Sequence, residues 1–86
     1  MEIDFLDKAL DDIDFWKKSG NVAIQNKISK LLESISKTPF TGIGKPEPLK
    51  YEMSGYWSRR ISDEHRLIYC VKNNRIKVIS LRFHYS

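Results

Sequence analysis

The stretch Lys45–Val71, KPEPLKYEMSGYWSRRISDEHRLIYCV, decides the fold because the sequence pattern changes to strands within it. Its first four residues belong to a loop at residues 38–48, which holds two of the four glycines and all three prolines. Strands are predicted at Lys50–Met53, Tyr56–Ile61, His65–Lys72 and Lys77–Phe83. The turns between them are short, so neighbouring strands should be antiparallel.

Two amphipathic helices precede this stretch. Apolar residues recur at helical spacing from Lys8 to Lys18 and again after Asn21, which predicts two helices joined by a short turn. A short strand at Ile3–Phe5 comes before them. The pattern therefore predicts an α+β fold, with both helices on one face of a twisted, mainly antiparallel sheet, in the order β-α-α-β-β-β.

Length and composition indicate one globular domain spanning residues 1–86. Of the 86 residues, 41% are hydrophobic, which argues against disorder, and no run approaches the ~18 apolar residues of a membrane helix. The acidic start of the chain lacks the basic and apolar segments of a secretory signal. The single cysteine, Cys70, lies in an apolar run and is predicted to be a core residue in a reducing compartment. A cytoplasmic protein is expected.

Charge divides the chain into two halves. Residues 1–36 carry five lysines and seven acidic residues, whereas residues 37–86 carry ten basic and four acidic residues, so the halves are −2 and +6. A basic half rich in arginine attracts polyanions, although an ordinary basic surface explains the charge equally well. The acidic cluster Asp11, Asp12 and Asp14 on the first helix is predicted to be a solvated face.

Glu47 is the carboxylate best suited to a fixed site, because prolines flank it on both sides. Pro46 and Pro48 restrict its backbone, and a stiff mount suits a positioned general base. The alternative is an ordinary loop carboxylate that pairs with Lys45 or Lys50. The sequence leaves both interpretations open.

Arg66 is the cation best placed to join such a site. Alternation along the strand His65–Lys72 puts it on the opposite face from the strand's Leu and Tyr residues. The turn at Asn73-Asn74 would return the end of the last strand, with Arg82 and His84, to the neighbourhood of Arg66. A strand arginine is otherwise often just solvated, and a terminal histidine often has no catalytic role. Their convergence is what favours a site.

Metal and nucleophile chemistry are disfavoured by the residues available. Two histidines 19 positions apart, one cysteine and no paired carboxylates give no metal-ligand spacing. A cysteine nucleophile is disfavoured because Cys70 is predicted to be buried. Acid–base chemistry on an RNA phosphodiester remains, since RNA provides its own nucleophile, the 2′-hydroxyl. No metal or cofactor is expected.

Five segments carry a resemblance to a known family: TPF at residues 38–40, KPEPLK at 45–50, SGYWSRRI at 54–61, EHRLIY at 64–69 and RFHY at 82–85. In order and spacing they resemble the YoeB/Txe family of RelE-type toxins. The resemblance implies a microbial RNase-like fold and the role of toxin in a type II toxin–antitoxin pair. Ser86 is one residue beyond the usual His-Tyr end of that family.

The resemblance also implies an activity and the residues that carry it. Such toxins are mRNA interferases that enter the ribosomal A site and cleave the message, without metal, by attack of the 2′-hydroxyl. Glu47 would be the general base and His84 the general acid. Arg66 would stabilise the phosphorane, and Tyr85 would position a base or phosphate. The other RNA- or phosphate-binding residues would be Lys45, Lys50, Arg59, Arg60 and Arg82.

Partners follow from the same resemblance. A YefM/Phd-like antitoxin is expected to inhibit the toxin, and an acidic segment of it could cover the arginines of the basic half. Two copies would also make reasonable contacts through Tyr56 and Trp57, although core packing explains Trp57 equally well. The alternative function is a basic module that binds ribosomal RNA or an antitoxin and blocks translation without cutting.

Overall fold

The computed structural model describes residues 1–83, and it has the predicted α+β class. Along the chain, two helices separate the first strand from the other four. In chain order the elements are β1 Ile3–Phe5, α1 Asp7–Ser19, α2 Val22–Lys37, β2 Glu47–Pro48, the 3₁₀ helix Tyr51–Met53, β3 Trp57–Arg60, β4 Arg66–Lys72 and β5 Arg75–Ser80. No helix in this part of the chain is long and apolar enough to cross a membrane.

The five strands, one more than in the predicted order β-α-α-β-β-β, form one mixed sheet in the order β1-β5-β4-β3-β2. β1 pairs in parallel with β5, and the other three pairs are antiparallel, as the short turns predicted. β3 and β4 are therefore neighbours in the middle of the sheet, and the short strand β2 forms the edge beside them. This arrangement places Glu47 and Pro48 beside β3, which carries Arg59 and Arg60 and is paired on its other side with β4.

The helices cover one face of this sheet with apolar side chains. Leu31 of α2 is fully buried together with Leu67, Tyr69 and Val78 of β4 and β5. Because side chains alternate across a strand, the odd-numbered residues of β4 face the helices and the even-numbered ones face away. Cys70 belongs to the second set and is only partly buried, so its predicted place in the core is wrong.

Local signals set the boundary between the two helices. Gly20 ends α1 in the left-handed conformation, with a φ of 72°, which glycine adopts without steric cost. The side chain of Asn21 then accepts a hydrogen bond of 3.1 Å from the backbone of Ile24 and caps α2. The helices consequently turn back on each other within two residues, as the sequence predicted.

One predicted strand is wrong. Lys50–Met53 forms a single turn of 3₁₀ helix, and the strand beside β3 is Glu47–Pro48 instead. Tyr51 has a left-handed φ of 57°, which is incompatible with a strand, and its side chain is 92% exposed. The Pro-Glu-Pro segment, predicted as part of a loop, is thus fixed to the sheet by its backbone.

The last strand also differs from its prediction. Asn73 and Asn74 both adopt left-handed φ values, of 55° and 59°, as a two-residue hairpin turn requires. β5 therefore begins at Arg75, directly after the turn, and ends at Ser80, before the predicted end at Phe83. The residues after Ser80 leave the strand pairing and make the side-chain contacts described below.

An ion pair joins the first strand to the last. Arg75 donates to both carboxylate oxygens of Asp4, at 2.8 and 2.7 Å, and also binds Glu2. The hydrogen bond from Arg75 lowers the pKa of Asp4, because it stabilises the ionised carboxylate. β1 is therefore held beside β5 by charged side chains as well as by backbone hydrogen bonds.

Candidate active site

Three of the predicted site residues lie on one face of the sheet. Glu47 of β2 is paired with Ser58 of β3, and Arg60 of β3 is paired with Arg66 of β4. Directly paired residues point to the same side of a sheet, and so do residues two apart on one strand. Glu47, Arg60 and Arg66 therefore share the face that lies opposite the helices.

The carboxylate of Glu47 is exposed on this face. Within residues 1–83, neither Lys45 nor Lys50 lies within salt-bridge distance of it, and both lysines are exposed. The backbone pairing of β2 with β3 continues for one more residue on each side, because Leu49 N donates a hydrogen bond of 2.9 Å to the carbonyl of Tyr56, the residue before Trp57. Glu47 is thus an available carboxylate on a fixed backbone, rather than half of a local ion pair.

The guanidinium of Arg66 is positioned by its own hairpin. Its Nη1 donates to three backbone carbonyls, those of Ser62 at 2.6 Å, Asp63 at 3.2 Å and His65 at 3.1 Å. Among the described residues, nothing accepts a hydrogen bond from its Nε or Nη2. One side of the guanidinium therefore holds the loop, while the other side keeps donors for a ligand.

The end of the described chain returns to Arg66, as the hairpin prediction required. The backbone N–H of Arg66 donates to the carbonyl of Phe83 at 2.9 Å, and the N–H of Phe83 donates to Nδ1 of His65 at 2.8 Å. His65, just before β4, and Arg66, its first residue, thus hold the residue that precedes His84. The predicted site residues His84 and Tyr85 lie outside the described residues, as does Ser86.

Two residues of α1 hold the same terminal segment from the other side. Asp12 accepts a hydrogen bond of 2.8 Å from the N–H of Leu81, and Trp16 Nε1 donates to the carbonyl of Leu81 at 2.9 Å. The Trp16 ring also meets the ring of His65 edge-on, with centroids 4.9 Å apart. We call Asp12, Trp16 and His65 the terminal clasp. It fixes the backbone at residues 81 and 83.

The motifs, the fold and this geometry agree with one family. The sequence model of one protein family, the YoeB-like toxins of bacterial type II toxin–antitoxin systems, matches residues 5–85. The chain belongs to this family. A curated relative, Toxin YoeB of Synechocystis, is 45% identical over 86 residues, covering 100% of this chain and 99% of its own.

Solved YoeB structures share the whole fold. A YoeB/ParE toxin from Agrobacterium tumefaciens superposes with a TM-score of 0.93 at 45% identity, covering 99% of this chain and 100% of its own. Two Staphylococcus aureus structures, a YoeB–YefM complex and a YoeB dimer, have TM-scores of 0.87 and 0.88 at 43% and 42% identity. Each covers 99% of this chain and 98% of its own. The YoeB fold therefore extends over nearly all of the chain.

Arg59 does not fit its predicted role as a phosphate-binding residue of this toxin. Its side chain is fully buried on the helix side of β3, and it makes five hydrogen bonds. The acceptors, at 2.8–3.1 Å, are Tyr69 Oη, Ser34 Oγ and the carbonyls of Thr38, Thr41 and Ile43. A guanidinium has five N–H donors, so none remains for RNA. Alternation along β3 was the signal for this, since it places Arg59 on the same side as Trp57 and Ile61.

Arg82, another predicted phosphate-binding residue, lies against two aromatic rings. Its guanidinium carbon is 3.6 Å from the ring centroid of Phe15 on α1 and 4.7 Å from that of Phe83. Its Nε is buried, and no acceptor among residues 1–83 bonds to it. Cation–π contacts therefore hold this arginine against α1, which covers the face opposite Arg66.

Asp12 was predicted to be part of a solvated acidic face, and this is wrong. Only 2% of Asp12 is exposed, and its carboxylate accepts hydrogen bonds from Leu81 N and from the ammonium group of Lys8. The available signal was its helical spacing, three residues after the buried Ala9 and four before the buried Trp16. The apolar stripe of α1 thus contains one carboxylate that serves the terminal clasp.

Asp12→Ala is expected to lower the free energy of unfolding by about 1.5–3 kcal/mol, the usual range for a hydrogen bond to a charged group. The substitution leaves the buried N–H of Leu81 without an acceptor. The measurement is urea unfolding followed by circular dichroism. Asp11→Ala is the matched control, since Asp11 is exposed on the same helix and should change stability by less than about 0.5 kcal/mol. Equal losses in the two variants would contradict the clasp.

Proposed function

We propose that this YoeB-family toxin is a metal-independent endoribonuclease that cleaves mRNA in the ribosomal A site. The observation that carries the proposal is the strand register, in which Glu47, Arg60 and Arg66 share the face of the sheet opposite the helices. Phe83, which precedes His84, is held beside Arg66 by the hydrogen bond from Arg66 N to Phe83 O. Acid–base cleavage of RNA needs a base, an acid and a cation, which a carboxylate, an imidazole and a guanidinium group can supply. The ribosomal setting rests on membership of the family.

In this mechanism each group has one task. Glu47 takes the proton of the 2′-hydroxyl, and the 2′-oxygen forms a bond to phosphorus. The donors of Arg66 that face away from the loop stabilise the charge on the phosphorane, with Arg60 beside it on the paired strand. His84 gives a proton to the 5′-oxygen as its bond to phosphorus breaks, and Tyr85 positions a base or phosphate. The products are a 2′,3′-cyclic phosphate, which can hydrolyse to a 3′-phosphate, and a 5′-hydroxyl.

The lysines beside Glu47 supply electrostatic attraction in this proposal. Lys45 and Lys50 are exposed on either side of β2, and Arg60 is exposed at the end of β3. Cations in such positions bind backbone phosphates without reading the bases. They would hold the message across Glu47 while Arg66 engages the scissile phosphate.

We also propose a YefM-like antitoxin as the inhibitory partner, with mRNA on the 70S ribosome as the substrate. A YoeB of S. aureus, similar over 99% of this chain, has been solved with YefM. An acidic antitoxin segment would compete with RNA for the exposed cations. A homodimer is proposed as well, since the S. aureus YoeB has been solved as a dimer. In this chain the rings of Trp57 and Phe40 have centroids 5.0 Å apart, and Trp57 also packs against the core. Packing within one copy therefore accounts for much of the burial of Trp57.

The test is to map the ends of message incubated with programmed ribosomes and the wild-type toxin. Primer extension should show new 5′ ends within codons. Those ends should be 5′-hydroxyls, opposite 2′,3′-cyclic or 3′-phosphates, because the 2′-oxygen is the nucleophile. A message with a single 2′-deoxynucleotide at the cleavage position is the matched control, and it should resist cutting at that position.

Two outcomes would contradict the proposal. Cleavage of the 2′-deoxy message at the same position would exclude attack by the 2′-hydroxyl. Arrest of translation without any new 5′ ends would instead favour the alternative function, a basic module that occupies the ribosome without cutting.

A further inference from the structure

A second cationic site lies next to the face that carries Arg66. A cavity of about 280 Å³ opens between helix α2 and the end of β3. Its lining residues are Lys27, Gly44, Lys45, Arg60, Ile61, Ser62 and Asp63. At about 30 Å³ for each water of the liquid, this volume corresponds to roughly nine waters, which leaves room for a hydrated phosphate group. Lys27 belongs to α2, which the sequence treated as scaffold.

The three cations of this cavity have no counterions in the described structure. Within residues 1–83, the salt bridges of the helix lysines are Lys8–Asp12, Lys18–Asp14 and Lys37–Glu33, each between residues one helical turn apart. None involves Lys27, Lys45 or Arg60, although Asp63 lines the same cavity. Lys27 is also partly buried. Three positive charges close together repel each other, and a bound anion would replace this repulsion with attraction.

The backbone holds these cations together. The carbonyl of Gly44 accepts a hydrogen bond of 2.6 Å from the N–H of Arg60, which fixes the loop to the end of β3. Gly44 has a left-handed φ of 82°, and a Cβ there would lie 2.5 Å from Leu31 Cδ2 of α2. The loop therefore packs tightly between helix and strand, and Lys45 is kept beside Arg60.

The cavity and Arg66 share a wall. Ser62 and Asp63 line the cavity, and their carbonyls accept the hydrogen bonds that position Arg66 Nη1. Arg60, which also lines the cavity, is the strand partner of Arg66. An RNA strand whose phosphate is held by Arg66 would thus pass directly by this cavity, which favours RNA over an acidic peptide as its occupant.

We propose that Lys27, together with Lys45 and Arg60, binds a backbone phosphate of the RNA substrate that neighbours the scissile one. This inference rests on the proposed function, because it names a subsite for the same substrate. Lys27 extends the RNA-binding surface from the sheet onto α2. Its contact is with phosphate, so it contributes affinity without base preference.

Lys27→Gln, which removes the charge and keeps a side chain of similar length, tests the assignment. The probe is a short 2′-O-methyl RNA, whose blocked nucleophile prevents cleavage, and binding is measured by fluorescence anisotropy over a range of salt concentrations. The variant should bind about threefold to tenfold more weakly, and the slope of log K against log salt should fall by about 0.7, the value for one phosphate on a single strand.

Lys30→Gln is the matched control, because Lys30 is exposed on the same helix and does not line the cavity. It should retain wild-type affinity and the wild-type salt slope. Inorganic phosphate should also shift the backbone amide resonances of Gly44 and Ser62 in the wild-type protein, and the shift should be lost in Lys27→Gln. Thermal unfolding of both variants checks that the fold is unchanged.

Equal effects of the two substitutions on RNA binding would overturn the proposal. So would a Lys27→Gln variant that binds RNA normally but loses affinity for a glutamate-rich peptide, since the cavity would then serve a carboxylate. The binding measurement does not require catalysis. A wild-type protein that yields no new 5′ ends would count against the proposed cleavage, while a difference between Lys27→Gln and Lys30→Gln would still support the subsite.

Discussion

Arg59→Met is expected to lower the free energy of unfolding by about 3–5 kcal/mol, because it breaks a network of five hydrogen bonds to one buried guanidinium, and a hydrogen bond to a charged group contributes about 1.5–3 kcal/mol. Methionine keeps the apolar stem of the side chain and removes all five donors. A domain of 86 residues has a total stability of about 4–13 kcal/mol, at 0.05–0.15 kcal/mol per residue. The substitution should therefore remove a large share of the stability.

The large effect follows from what Arg59 joins. Its acceptors lie on α2, on the loop at residues 38–43 and on β4, so one guanidinium connects three separate segments to β3. Tyr69 continues the network by donating its hydroxyl to the carbonyl of Pro39. Burial raises the pKa of Tyr69, which keeps this hydroxyl protonated at neutral pH. Losing Arg59 removes the donor of one buried and four partly buried hydrogen bonds at once.

Arg60→Met provides the matched control for this stability measurement. Arg60 is adjacent in sequence, equal in charge and exposed on the other face of the same strand. Chemical denaturation of the two variants should give a loss of less than about 0.5 kcal/mol for Arg60→Met. If Arg59→Met unfolds within about 1 kcal/mol of the wild type, the loop is held by other contacts and the network has been overvalued.

The face that carries the site could be predicted from the sequence. Alternation in β4 placed Arg66 away from the helices, because the leucine and tyrosine beside it had to be in the core. The hairpin at Asn73-Asn74 then fixed the return of the chain end towards Arg66. These inferences held because they depend on periods and turn lengths, which are local properties of the chain.

Residues whose partners are distant in sequence could not be predicted in the same way. Arg59 and Arg60 are chemically identical neighbours, as are Asp11 and Asp12. Strand alternation and helical spacing indicate which member of each pair faces the core, but only the folded structure shows the partners that hold it there. The acceptors of Arg59 come from residues 10 to 25 positions away, and Leu81 is 69 positions from Asp12. The strand predicted at Lys50–Met53 was wrong for a related reason, since tertiary context overrode the strand preference of Tyr51.

Glu47→Ala, Arg66→Ala and His84→Ala are each expected to reduce ribosome-dependent cleavage by about 10²–10⁴-fold, the range for a general acid or base and for a cation that stabilises transition-state charge. The measurement is the single-turnover rate on programmed ribosomes at saturating toxin, which separates chemistry from binding. The Glu47 and Arg66 variants should remain folded, because Glu47 is exposed and, within residues 1–83, the side-chain hydrogen bonds of Arg66 go only to the turn at residues 62–65.

Glu52→Ala is the control for the loss of a carboxylate, since Glu52 is exposed in the adjoining 3₁₀ helix and has no place in the mechanism. It should cleave at the wild-type rate. Rates within tenfold of the wild type for all three site variants would refute the catalytic assignment. Loss of cleavage in Glu52→Ala as well would show that the segment, rather than the chemistry of Glu47, had been disturbed.

Arg66→Lys distinguishes a positioned guanidinium from a simple positive charge. In the structure Nη1 of Arg66 holds the carbonyls of Ser62, Asp63 and His65, and the proposed mechanism assigns the phosphate to Nε and Nη2, which have no acceptor within residues 1–83. A lysine ammonium is a single point and cannot hold the loop on one side while it presents a fork on the other. Its cleavage rate should therefore lie closer to that of Arg66→Ala than to the wild type. A lysine variant with the wild-type rate would mean that charge alone is sufficient and that the hydrogen bonds to the loop do not contribute to catalysis.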